Sequence, residues 1–144
     1  MSSPSPQFRF NPITGQLDLS DDHGSSGGNP YPGGVVAWTD VSGTSQAMDP
    51  DNGYTANNIA LVTLTLPAVC PYGKVFRIVG KGIGGWKIAQ NAGQVIHFGV
   101  LDTTVGVSGY IASTSQYDCI ELLCTVADTA FTVINGPQGD LTIN

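Results

Sequence analysis

From Val35 to Asn144 the apolar residues come in short alternating runs. Gly, Pro, Asn or Asp interrupts each run before it is long enough to make a helix. Side chains alternate between two faces along a strand, whereas a helix needs apolar positions three and four apart sustained over ten or more residues. Ile59–Leu66 (IALVTLTL) shows the pattern best: Ile59, Leu61 or Val62, Leu64 and Leu66 compete for the inner face, and Pro67 stops the run. About nine runs read as strands: Val35–Trp38, Ile59–Leu66, Val75–Val79, Trp86–Ala89, Val95–Phe98, Tyr110–Ala112, Asp118–Val126, Ala130–Ile134 and Leu141–Ile143. Asn52-Gly53 and Asn135-Gly136 are turn signals between them. Charged residues are only 11% of the chain and glycines number 19, where an average soluble domain carries about 25% charge. The expectation is one all-β domain over residues 35–144, a β-sandwich or barrel of jelly-roll-like type, without a long internal repeat.

Residues 1–34 differ. They hold five of the nine prolines, and Ser20–Gly34 contains five glycines among Ser, Asn and Asp. Such a segment has too little apolar surface to fold alone. Inside it, Phe8–Leu19 alternates apolar and polar residues around the turn formers Asn11-Pro12 and Thr14-Gly15, which suits a small β-hairpin or an extended peptide. A lone hairpin is marginal in water, so this N-terminal arm is expected to dock on another molecule, with Phe8, Phe10, Ile13, Leu17 and Leu19 as its anchors.

Little in the sequence points to catalysis or cofactors. Gly80-Lys81-Gly82-Ile83-Gly84-Gly85 matches GxGxxG and follows a strand. A dinucleotide site needs a helix to begin there, and Trp86–Asn91 reads as another strand, so the glycines are expected to make a tight or bulged connection. Asp49-Pro50-Asp51-Asn52-Gly53 opens like a calcium loop, but Ala60 stands where the late acidic ligand belongs; a turn is expected. His23 and His97 have no motif that would gather a third zinc ligand. Asp118 and Glu121, three apart on a strand, should point to opposite faces and not act as an acid/base pair. The expectation is therefore no enzyme, no cofactor and no metal.

The formal charge is −6. Lys74, Arg77, Lys81 and Lys87 lie in one stretch, but alternation spreads them over two strands, so neither nucleic acid nor an anionic membrane is an expected partner. Cys70, Cys119 and Cys124 are an odd number without a CxxC and are expected as free, largely buried thiols of a protein made in a reducing cytoplasm. Residues 1–10 lack the apolar stretch of a signal peptide, and the apolar runs are too short to span a bilayer. Trp38, Tyr54 and Trp86 are expected in the domain core or at a subunit seam. A sugar-binding groove is the alternative use of the aromatic residues, Tyr110 and Tyr117 included.

Several stretches carry a resemblance. They are Val41-Ser42-Gly43-Thr44-Ser45-Gln46-Ala47-Met48, Asn52-Gly53-Tyr54 with Asn57-Asn58, and Leu64-Thr65-Leu66-Pro67-Ala68. The most distinctive is Gly80-Lys81-Gly82 followed by Gly84-Gly85-Trp86-Lys87-Ile88-Ala89-Gln90-Asn91-Ala92-Gly93-Gln94-Val95-Ile96. Ser113-Thr114, Tyr117-Asp118, Glu121-Leu122-Leu123-Cys124 and Gly139-Asp140-Leu141-Thr142-Ile143 complete the set. With these, Trp38–Asn144 resembles a β-rich module of tailed-bacteriophage virion proteins, tail fibres and capsid-associated proteins among them. Phe10–Asp18 resembles the opening of many small phage structural proteins. The resemblance implies a homotrimer attached to the virion and brings no catalytic residue. The chain has no long shaft, heptad or extended repeat, which favours a capsid cement or decoration protein, assembled in the host cytoplasm and bound to the major capsid protein or another virion protein. The alternative is a tail fibre or tail-tip module that binds a host surface glycan.

Overall fold

The computed structural model describes residues 8–11, 16–19 and 36–144. Contacts divide the chain into two compact units, Met1–Val35 and Val36–Asn144. In the first, β1 (Phe8–Asn11) pairs antiparallel with β2 (Gln16–Leu19), Phe8 opposite Leu19 and Asn11 opposite Gln16. Ile13 and the rest of the segment lie outside the described residues.

The second unit is all-β and has two mixed sheets. Its first half is a coil. The chain passes from β3 (Ala37–Val41) to β4 (Ser45–Ala47), then β5 (Asn52–Ala56), β6 (Val62–Thr65), β7 (Val75–Gly80) and β8 (Trp86–Ala89), changing sheet at every step. Strands β3, β5 and β7 are consecutive parallel neighbours in one sheet. Strands β4, β6 and β8 are parallel neighbours in the other. The second half fills in around them: β9 (Val95–Phe98), β10 (Leu101–Asp102), β11 (Tyr110–Ser113), β12 (Cys119–Val126), β13 (Ala130–Gln138) and β14 (Leu141–Ile143). Strand β12 lies antiparallel between β7 and β13, and β11 antiparallel between β8 and β14. Strand β9 runs parallel to β13 and closes a hairpin with β10. The strand orders are β10-β9-β13-β12-β7-β5-β3 and β14-β11-β8-β6-β4. The second unit is thus the all-β domain expected from the sequence, with parallel as well as antiparallel pairs in each sheet. Parallel neighbours need crossovers, and here each crossover is a strand of the opposite sheet.

Alternation selects the core. Val62 and Leu64 of β6, Phe76 and Ile78 of β7, Trp86 and Ile88 of β8, and Ile120, Leu122 and Cys124 of β12 turn inward from both sheets into a single cluster. Each fully buried side chain of this size contributes about 1.5–3 kcal/mol. Phe76 and Phe131 meet edge to face with centroids 6.0 Å apart. In the run Ile59–Leu66 the inner positions go to Val62, Leu64 and Leu66, and Ile59 and Leu61 are left exposed.

The Gly80–Gly85 motif opens no helix. Lys81 and Gly82 donate their amides to the carbonyl of Ala56, and Gly84 donates to that of Asn58. A side chain at Gly82 or Gly84 would collide with the backbone of Asn58 or Ala60. These glycines let one inter-sheet connection lie directly on another.

The Gln90–Gln94 turn is tied down from inside by amide side chains. Gln94 is buried; its Nε2 donates to the carbonyls of Pro67 (2.8 Å) and Asp128 (3.0 Å), and its Oε1 accepts from Asn91 N (2.8 Å). Gln90, also buried, donates to the carbonyls of Gln94, Thr104 and Gly106. Asn91 Nδ2 donates to Leu66 O. Four loops that share no strand pairing are joined by three side chains, so the Gln-Asn-Ala-Gly-Gln sequence has a structural role.

Candidate functional site

A groove of about 250 Å³ lies on the outer face of the seven-stranded sheet. Its floor follows from register. Trp38 of β3 lies opposite Gly53 of β5, Gly53 opposite Arg77 of β7, and Arg77 opposite Glu121 of β12. These residues form one row across four neighbouring strands. On the other face of β7 and β12, Ile78 and Ile120 enter the core.

Gly53 sets the position of the indole. A Cβ built on it would lie 2.6–2.7 Å from Cδ2, Cε3 and Cε2 of Trp38. Three ring atoms at nearly equal distance mean that the indole lies flat over the glycine. Its inner face is packed on the sheet and its outer face is open, with the residue 52% exposed. Arg77 Nε donates to Glu121 Oε2 at 2.6 Å, and the Asn135 amide donates to Glu121 Oε1. The far wall is a bulge in β13: Cys119 pairs with Gln138 while Glu121 pairs with Ile134, so Asn135, Gly136 and Pro137 loop out of register. Asn135 holds φ at 60°, a left-handed conformation that Asn tolerates better than most residues.

The aromatic residues expected in the core or at a seam separate. Trp86 and Tyr54 are in the core. The Trp86 indole donates to Asp118 O at 2.8 Å. The Tyr54 hydroxyl accepts from Asp49 N at 2.6 Å, and burial raises its pKa. Trp38 is not a core residue. The side-chain positions of the arm anchors Phe8, Phe10, Ile13, Leu17 and Leu19 lie outside the described residues.

The four cations of the second unit are dispersed and engaged. Lys74 pairs with Asp51, Arg77 with Glu121 and Lys81 with Asp40, and Lys87 sits over the Tyr110 ring. Hydrogen bonds from Thr55 and Asn57, with Lys81 nearby, lower the Asp40 pKa. For Asp51, burial acts upward, but the bonds from Lys74 and Val75 N outweigh it and the net shift is down. In the Asp49–Gly53 segment, Pro50 and Asp51 form a turn, with Asp51 at φ 63°, that leads directly into β5. Glu121, weighed above as a partner for Asp118, is instead held by Arg77 and Asn135. Among the described residues no three metal-ligating side chains converge. Cys70, Cys119 and Cys124 are free, with Cys70 and Cys124 buried. Burial, then the hydrogen bond with Cys124, pushes the Cys70 thiol up to about 12.

A second surface feature is apolar. Ile59 is 84% exposed, Ile83 70%, Tyr117 71% and Leu61 44%. All four belong to connections held together at one end of the domain: Gly82 bonds Ala56 O, Gly84 bonds Asn58 O, and Gln116 donates to Lys81 O. Val100, Leu101, Val105 and Val107 make another exposed apolar stretch around β10.

Arg77, Asn135 and Gln138 were not singled out as groove residues by sequence reasoning. Arg77 and Glu121 are far apart in the chain, and only the β7–β12 pairing joins them. No family model matches the chain, and no match is found among curated proteins.

Proposed function

We propose that the chain is a non-enzymatic structural protein of a phage virion. In this reading it is a capsid decoration or cement protein that forms a homotrimer and binds the shell through its N-terminal arm. One observation carries the proposal: Ile59, Leu61, Ile83 and Tyr117 stand exposed on three connections that are hydrogen-bonded to one another. Large apolar side chains exposed on neighbouring connections of a low-charge domain suit contact with other subunits. The β1–β2 hairpin supports the arm's part in this reading, because an isolated two-stranded unit gains stability by adding to a partner's sheet. Contacts formed only in the assembled state stabilise that state by mass action, and three arms on one trimer release slowly even when each binds weakly.

Deleting residues 1–20 and mixing the truncated protein with undecorated shells tests the arm. The expected result is a folded trimer that no longer sediments with shells. Full occupancy by the truncated protein would refute it. A second reading, a tail fibre or tail-tip module that binds a host surface glycan, is favoured by the open indole face of Trp38.

A further inference from the structure

We propose that the groove between Trp38 and the β13 bulge binds a single neutral pyranose ring. This deepens the second reading above and is independent of shell binding, since a cement protein can carry the same groove. Three features select the ligand class. The first is the flat indole. Gly53 holds one face of Trp38 down on the sheet, so the ring offers its other face as a rigid platform with little left to order on binding. The C–H face of a pyranose is a flat apolar surface that stacks on such a ring.

The second is the polar set beside it. Arg77 lies two strands from Trp38, about 10 Å at ordinary strand spacing, within reach of the hydroxyl edge of a sugar stacked on the indole. Arg77 uses Nε on Glu121, and the other N–H groups of its fork have no partner among the described residues. The Asn135 amide and Gln138 border the same space. Planar donors and acceptors of this kind match vicinal hydroxyls. Arg77 and Glu121 cancel in charge, so the floor favours a neutral sugar over an acidic one.

The third is size. About 250 Å³ falls below the roughly 300–1,000 Å³ of pockets for drug-sized ligands, and the Asn135–Gln138 bulge closes one end. That space suits one ring and not an oligosaccharide lying along the sheet.

The test uses the full chain and the methyl glycosides of glucose, galactose and mannose. Binding is read by saturation-transfer NMR and by acrylamide quenching of tryptophan. Trp86 is fully buried and Trp38 half exposed, so quenching reports on Trp38. The expected result is about millimolar binding of at least one glycoside, with Trp38 protected from quencher as the sugar is added. Trp38→Ala should weaken binding about tenfold, the loss of one stacking face, and Trp38→Phe should retain most of it. Absence of saturation transfer and of protection for all three glycosides would overturn the proposal. So would undiminished binding by folded Trp38→Ala. Failure of shell decoration with sugar binding intact would count against the cement reading alone.

Discussion

Gln94→Leu removes a buried amide that is bonded at both ends while keeping nearly the same volume. The wild-type side chain makes three bonds, to Pro67 O, Asp128 O and Asn91 N, at a position 1% exposed. Leucine leaves the Asn91 amide and two carbonyls without those partners in a site closed to water. A buried group that loses its partner costs about 1–3 kcal/mol. Relief by adjustment of the exposed side of the turn brings the expected total to about 3–5 kcal/mol. That is a large part of the roughly 5–15 kcal/mol stability of a typical domain, and it lowers Tm by roughly 10–15 °C for a chain of this size. Urea unfolding followed by Trp86 emission and by far-UV circular dichroism measures it. Gln94→Glu sharpens the result. It keeps an acceptor for Asn91 N but turns a second oxygen toward two carbonyls, so its carboxyl pKa in the folded state is raised. The protonated form donates to one carbonyl, and stability is therefore lost as pH rises from the unfolded value near 4.3 through the raised folded one. Gln94→Glu should be closer to wild type at pH 4 than at pH 7. If Gln94→Leu unfolds within about 0.5 kcal/mol of wild type, a range typical of surface substitutions away from special features, the amide network does not hold these loops.

Other outcomes follow from the same geometry. Gly84→Ala drives a methyl group into the Ala60 backbone and should cost about 3 kcal/mol, whereas Gly43→Ala, with nothing within 4 Å, should be near neutral; thermal melts of the two compare them. The Cys70 thiol titrates near 12 in the folded chain against 9.0 for the free group. Between those values the folded state keeps a proton that the unfolded state has lost, so stability should fall above pH 9, at up to about 1.4 kcal/mol per pH unit for this thiol. Cys70→Ala should flatten that decline in a pH series of urea midpoints. Asp51 titrates below 3.8, so its contribution is complete above that value and disappears as pH falls through the folded pKa. Asp51→Asn should narrow the difference in Tm between pH 5 and pH 2.

The strands with strict alternation are legible in the sequence because both their faces are constrained. Val75–Gly80, Trp86–Ala89, Val95–Phe98 and Cys119–Val126 emerge within a residue or two of their observed bounds. Strand β5 does not. Its Asn52-Gly53 reads as a turn, yet Gly53 lies inside a parallel strand because an indole must lie on it. Asn135-Gly136 misleads in the same way, being a bulge within β13. The coil of β3–β8 leaves no repeat to find, because its successive connections differ in length and only backbone register relates them. The groove was illegible for the same reason: Trp38, Arg77 and Glu121 share a row through pairings between distant segments. The Gln90–Gln94 stretch stood out as distinctive, but only its hydrogen bonds show why.

The assembly proposal depends on the exposed Ile59, Leu61, Ile83 and Tyr117 being covered by other copies of the chain. Sedimentation equilibrium of the full-length protein at micromolar concentration tests this directly. The account requires a single species of three times the 15.0 kDa chain mass, converted toward smaller species by Ile83→Asp. A protein that remains at the mass of one chain as its concentration is raised would contradict it.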